Sequence, residues 1–152
     1  MDKWDRILRP KNILVGMKAR RSIEAIRELA DLLDEDDGVF DPKRFLADVI
    51  QREQQGSTGV GKGVAVPHAH EDSIARQLLA VGISREGIDF AAIDGAPVHI
   101  VAMLATPRKH QKQHMELLAG ISRLLQQDDV RRALVEARDA AEVLAIFNGC
   151  RR

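Results

Sequence analysis

Two nearly unbroken apolar runs, LLAVGIS (Leu78–Ser84) and VHIVAMLA (Val98–Ala105), constrain this chain most. They are short, rich in β-branched and aliphatic residues, and read as strands. DGAP (Asp94–Pro97) between them is a turn. A shorter run, NILVGM (Asn12–Met17), reads as an earlier strand. The period then changes. Ile23, Ile26, Leu29, Ala30 and Leu33 recur at helical spacing, which predicts an amphipathic helix from Arg21 to about Leu33. DEDDG after it reads as a solvated acidic loop ending in Gly38. Asp41 and Pro42 start a second helix, as a cap and a first-turn proline. Along that helix Phe45, Val49 and Arg52 fall on one line, so Arg52 is expected at an edge of the core.

From about Lys109 the helical period returns, with His114, Leu117, Leu118, Ile121, Leu124 and Leu125 on one face. Asp128 or Asp129 is expected to cap a short helix. Asp139 with Glu142 gives a capping-box-like start to the last one, which Gly149 stops. The order mixes strands and helices, with no repeat, low-complexity segment or linker. The expectation is one α/β layered domain over residues 1–152.

Composition enters by exclusion. Lys plus Arg and Asp plus Glu both number 23, so no bulk charge points to nucleic acid or an anionic membrane. Aromatics make up 3% and tyrosine is absent, which weakens any binding mode built on base stacking. The single cysteine, Cys150, cannot form an internal disulfide and fits a reducing compartment. The stretch MDKWDRILRPKN has no apolar signal core, and no apolar run is long enough for a bilayer. A cytoplasmic chain is expected, with no nucleic-acid partner and no membrane insertion.

The chemistry concentrates in GSTGVGKGVAVPHAH, Gly56 to His70. Gly56-x4-Gly61-Lys62-Gly63 approaches a phosphate-binding P-loop, but Gly63 stands where that loop needs a Ser or Thr hydroxyl. The β-branched VAVP that follows also opposes the required helix. A metal reading rests on His68-x-His70 and His110-x3-His114, because helical imidazoles four apart share a face. No carboxylate or thiolate sits at a familiar ligand spacing beside them, so no metal and no cofactor is assigned. The third reading makes His68 a nucleophile towards phosphorus. A neutral imidazole with a pKa of about 6.5 is a good nucleophile near neutrality. Phosphoryl transfer then asks mainly for positioning and charge neutralisation. Ser57, Thr58 and Gly59 are candidate phosphate donors, Arg52 a candidate guanidinium fork, and His114 a candidate second imidazole on an inward face.

RE…GSTGVGKGVAVPHA resembles the active-site region of the fructose/mannitol-type enzyme IIA domains of the bacterial phosphoenolpyruvate-dependent sugar phosphotransferase system. DGAPVHIVAMLATP followed by HMELLAGISRLL resembles the second half of the same family, in the same order. The likeness covers nearly the whole chain. It implies a mixed β-sheet flanked by helices, with the site at one edge. It also implies that His68 accepts a phosphoryl group from the phosphocarrier HPr, with His114 as the second active-site histidine and Arg52 as the arginine before the loop. The next acceptor would be a cysteine or histidine of a IIB partner. A free-standing regulatory role in the nitrogen-related branch is the alternative, on the expectation that no IIB, IIC or HPr segment is fused to this chain.

His70 departs from the family, where Lys, Thr or another small or polar residue is more usual. With Glu71 and Asp72 beside it, it is expected in a solvated loop. His99 is expected as a hydrogen-bonded sheet residue, His110 as a solvated helix start and Lys62 as a solvated loop residue. The basic runs Lys18–Arg21 and Arg151–Arg152 are expected at the surface.

Overall fold

The computed structural model describes residues 3–34 and 36–149; Cys150 and the Arg151–Arg152 run lie outside the described residues. Two short 3-10 turns, Lys3–Arg6 and Pro10–Asn12, precede β1 (Ile13–Val15). Two helices follow, α1 (Ser22–Leu33) and α2 (Pro42–Gln55), and then three short strands, β2 (Gly59–Gly61), β3 (Val64–Ala65) and β4 (His68–Glu71). The long strands β5 (Leu78–Ile88) and β6 (Val98–Pro107) lead to α3 (Gln111–Leu125), α4 (Asp128–Glu136) and α5 (Ala140–Phe147). This is a single α/β domain with a mixed sheet. Its order is β1-β5-β6-β3-β2, and β4 also pairs with β6. The pairs β1–β5, β3–β6 and β4–β6 are parallel, whereas β5–β6 and β2–β3 are antiparallel.

Strand alternation builds the layers. Leu79, Val81, Ile83, Ile100, Ala102 and Leu104 face one way and pack with α3, α4 and α5. Leu78, Ala80, Val101, Met103 and Ala105 face the other way and pack with α1 and α2. Gly82 lies where α1 crosses closely: a Cβ there would come within 2.3 Å of Met17 Sδ and 2.9 Å of Leu29 Cδ2. No helix among the described residues is long and apolar enough to cross a membrane.

Most expected elements are present, with physical differences at their edges. Asp41 accepts the Arg44 N–H at 3.2 Å and Asp139 the Glu142 N–H at 2.9 Å, as caps should. Asp128 and Asp129 do not cap α4. Gln127 holds that position, and Asp128 sits inside the first turn paired with Arg131. The acidic loop is not wholly solvated either. Asp36 is buried, accepts the Gly38 N–H at 2.8 Å, and meets Arg76 at 2.6 Å and Lys11 at 3.4 Å. Burial pushes its pKa up, but the Gly38 amide and the two cations outweigh that and leave it below the ordinary value.

The glycine-rich loop becomes a β-hairpin. Gly61 pairs with Val64 across Lys62 and Gly63, whose φ angles are 58° and 79°. Positive φ at both central residues is what a tight hairpin turn demands, and the glycine supplies one of them.

Candidate active site

Pro67 ends the β3 segment and starts β4 alongside the same strand, β6. The register His68↔Leu104, Ala69↔Ala105, His70↔Thr106 puts His68 and His70 on the face that carries Leu104 and Thr106. Helix α3 crosses above that face and lowers His114 onto it. The three imidazoles meet there. The His68 and His114 ring centroids are 5.4 Å apart with planes tilted by 58°, and those of His70 and His114 are 5.0 Å apart and stacked at 16°. Among the described residues β4 has no strand partner on its other side. The bonds Leu104 N–H to Pro67 O (2.9 Å) and Arg108 N–H to Glu71 O (3.2 Å) show that odd-numbered residues of β4 bond β6. The peptide groups of His68 and His70 therefore point away from β6. An open cleft of about 350 Å³ lies along this edge, lined by Asp48, Arg52, His68, His70, Arg108 and His114 among others.

Each ring is held by a defined partner. His68 Nδ1 lies 2.9 Å from the Val66 carbonyl. A carbonyl only accepts, so Nδ1 carries the proton and Nε2 keeps its lone pair. Burial lowers the His68 pKa; the Val66 carbonyl and Glu53 oppose that in part, and the Arg52 charge adds to the lowering. His68 is therefore neutral near neutrality. His114 is 4% exposed, and its Nδ1 lies 2.6 Å from Thr106 Oγ1. The buried Thr106 hydroxyl takes the Gln77 Nε2–H at 3.2 Å and gives its own proton to His114 Nδ1, which leaves His114 with Nε2–H. Burial, then the neighbouring His68 and His70, lower the His114 pKa to about 4. His114 is a neutral donor and not a cation.

Arg52 lies in the last turn of α2, half-buried, and donates to the Gly56 carbonyl at 2.8 Å. The structure thus brings His68, His114 and Arg52 to one cleft. It does not bring Ser57, Thr58 and Gly59 there. Thr58 is buried, and gives its N–H and hydroxyl to Glu53 at 2.8 and 2.6 Å. Gly59 donates to Ser57 Oγ at 2.9 Å, and the Ser57 hydroxyl bonds the Phe90 carbonyl. Those groups fix the loop instead of facing the cleft.

His70 is not in a solvated loop. It is a half-buried residue of β4 whose Nε2–H donates to the Arg108 carbonyl at 2.5 Å. Glu71 beside it is buried, with Ser73 and Arg44 as partners. His99 Nδ1 meets the Ser84 carbonyl at 2.8 Å, as a sheet histidine should. His110 is half-buried and is the N-cap residue of α3, apart from the cluster. Among the described residues, no three His, Cys, Asp or Glu side chains are arranged to hold a metal ion. Sequence reasoning did not find Thr106, Gln77 and Glu53. The signals were the polar Thr106 at the end of an apolar strand and Glu53 beside Arg52 in the RE that precedes the loop.

The nitrogen regulatory protein IIA-Ntr from Neisseria meningitidis superposes with a TM-score of 0.87 at 30% identity, over 93% of this chain and 97% of that one. Enzyme IIA mannitol from Escherichia coli, solved in complex with phosphorylated enzyme IIB mannitol, superposes with a TM-score of 0.82 at 23% identity, over 93% and 97%. The fold is that of enzyme IIA domains. The family profile described as "Phosphoenolpyruvate-dependent sugar phosphotransferase system, EIIA 2" matches residues 6–150, and the chain belongs to that family of phosphocarriers. The "PTS system fructose-specific EIIABC component" of Bacillus subtilis is 31% identical over 146 residues. That alignment takes in 96% of this chain but spans only 23% of the relative's length.

Proposed function

We propose that His68 is the phosphoryl acceptor of this carrier, and that it takes the group on Nε2. The observation that carries this reading is the Val66 carbonyl on Nδ1, which leaves a neutral imidazole with its Nε2 lone pair free. The donor is the phosphohistidine of an HPr-type protein. Its N–P bond breaks as the bond to His68 Nε2 forms, and Nδ1 keeps its proton on the Val66 carbonyl. In the onward step the His68 N–P bond breaks as a cysteine or histidine of a IIB partner takes the phosphoryl group. Arg52 supplies the positive charge for the phosphoryl oxygens and His114 Nε2–H supplies a directed donor. The family match and the E. coli IIA–IIB complex support this chain of partners. Residues 1–152 act as one carrier unit in the cytoplasm.

The likeness to the Neisseria nitrogen regulatory protein favours a second outlet for the same phosphate. In that reading the phosphorylated and free forms bind different regulatory partners, and His68 remains the switch.

Incubation with phosphoenolpyruvate, enzyme I and HPr, followed by intact mass measurement, tests the common step. One acid-labile, base-stable phosphate is expected, and His68→Ala should abolish it without unfolding the chain. Full labelling of His68→Ala would place the phosphate elsewhere and end this reading.

A further inference from the structure

We infer that His70 is a positioning residue: its ring holds the His114 ring in the plane from which His114 serves a phosphoryl group on His68. The inference rests on the assignment of His68 as acceptor.

The hydrogen bond from Thr106 fixes one atom of the His114 ring, at 2.6 Å. That bond opposes a turn about Cβ–Cγ only within its own angular tolerance, so the ring can still rock about it. The His70 ring lies against its face, 5.0 Å away and 16° from parallel, and blocks that rocking. His70 is itself clamped. Its Nε2–H donates to the Arg108 carbonyl at 2.5 Å. The Arg108 peptide is tied to the end of β4 by its N–H on the Glu71 carbonyl at 3.2 Å, and the Arg108 side chain meets Asp72 at 3.1 Å. The register completes the clamp, because His70 lies opposite Thr106, the residue that grips His114 from below.

The same hydrogen bond argues against His70 as a phosphate ligand. Its Nε2–H is already spent on the Arg108 carbonyl, whereas phosphoryl oxygens need donors. His70 therefore acts through His114 and not on the phosphoryl group.

The test compares wild type, His70→Ala and His70→Phe in two measurements: the rate of HPr-dependent labelling of His68, and the imidazole 15N signals of His114. Loss of the plate in His70→Ala should slow labelling by about 3- to 10-fold, the range of an aromatic pair, and should broaden or average the His114 signals. His70→Phe keeps a plate without the nitrogen and should restore both to within about 2-fold. Unchanged labelling in His70→Ala overturns the inference, as does slowed labelling with unchanged His114 signals. His70→Phe as impaired as His70→Ala also overturns it, because an aromatic plate against the His114 ring would then contribute nothing. A wild type that takes no phosphate ends the assignment of His68 and this inference with it. A labelled wild type with an indifferent His70→Ala ends this inference alone.

Discussion

Replacing Thr106 by valine keeps the shape of a β-branched strand residue and deletes one hydroxyl with two partners. Thr106 is fully buried, and its Oγ1 lies 2.6 Å from His114 Nδ1 and 3.2 Å from Gln77 Nε2. Gln77 is half-buried and can turn its amide to water, so its loss is small. His114 Nδ1 has no such escape, since the residue is 4% exposed. Leaving a buried acceptor unpaired costs about 1–3 kcal/mol. For a chain of this length each kcal/mol lowers Tm by about 2–4 °C, so Thr106→Val should melt about 2–12 °C below wild type. The variant also frees the His114 proton to move to Nδ1, where it no longer faces the phosphoryl group. Labelling of His68 by HPr should slow by about 10-fold, or about 1.4 kcal/mol of barrier. Thermal melts and timed labelling on the same samples check both halves, and Thr106→Ser should recover both. A Thr106→Val variant with wild-type labelling would show that the His114 tautomer does not matter and would refute the reasoning.

Arg52→Lys keeps a charge and loses the planar fork that spans Gly56 and the cleft, so transfer should slow by about 10- to 100-fold. Unchanged labelling would leave Arg52 as the end tie of α2 only. Stability should fall with acid. The His114 pKa sits at about 4 in the folded chain, below the ordinary 6.5, so the unfolded state takes up a proton first. Its contribution is complete above pH 6.5 and is lost as the pH falls towards 4, by about 3 kcal/mol in all. Denaturant titrations from pH 7.5 to 4 should show this slope, reduced in His114→Leu. An equal slope in that variant would assign the acid loss to other groups.

The long strands and helices were legible because their apolar periods are unmixed, and His114 was legible as an imidazole on an apolar helical stripe. β4 was not. HAHE has no apolar alternation, and its strand form comes from pairing with β6 and not from propensity. Once the segment is extended, residues two apart share a face, and His70 must join His68. Charge misled at Glu71 and Asp36, which read as solvated. Each is buried because an arginine distant in sequence comes to meet it: Arg44 at 3.2 Å for Glu71 and Arg76 at 2.6 Å for Asp36. Such pairings are invisible to local pattern. The loop donors failed for a related reason. Ser57, Thr58 and Gly59 have the right groups, but Phe90, Glu53 and Ser57 Oγ, in that order, already occupy them.

The position of β4 explains why these residues can meet at all. His68, His70 and Thr106 stand on the sheet face covered by α3, whereas α2 packs on the opposite face through Phe45 and Val49. A sheet separates residues on its two faces by its own thickness, so Arg52 of α2 has no route to His68 through the middle. The route exists only around an unpaired edge. Among the described residues β4 pairs with β6 on one side alone, and Arg52 leaves the C-terminal turn of α2 at that free edge to line the cleft with His68 and His114. A further strand beyond β4 would fill the cleft and put the guanidinium out of reach. The short, polar, one-sided strand is therefore a condition of the site: it is stiff enough to fix two imidazoles and bare enough for a cation from the other face to join them.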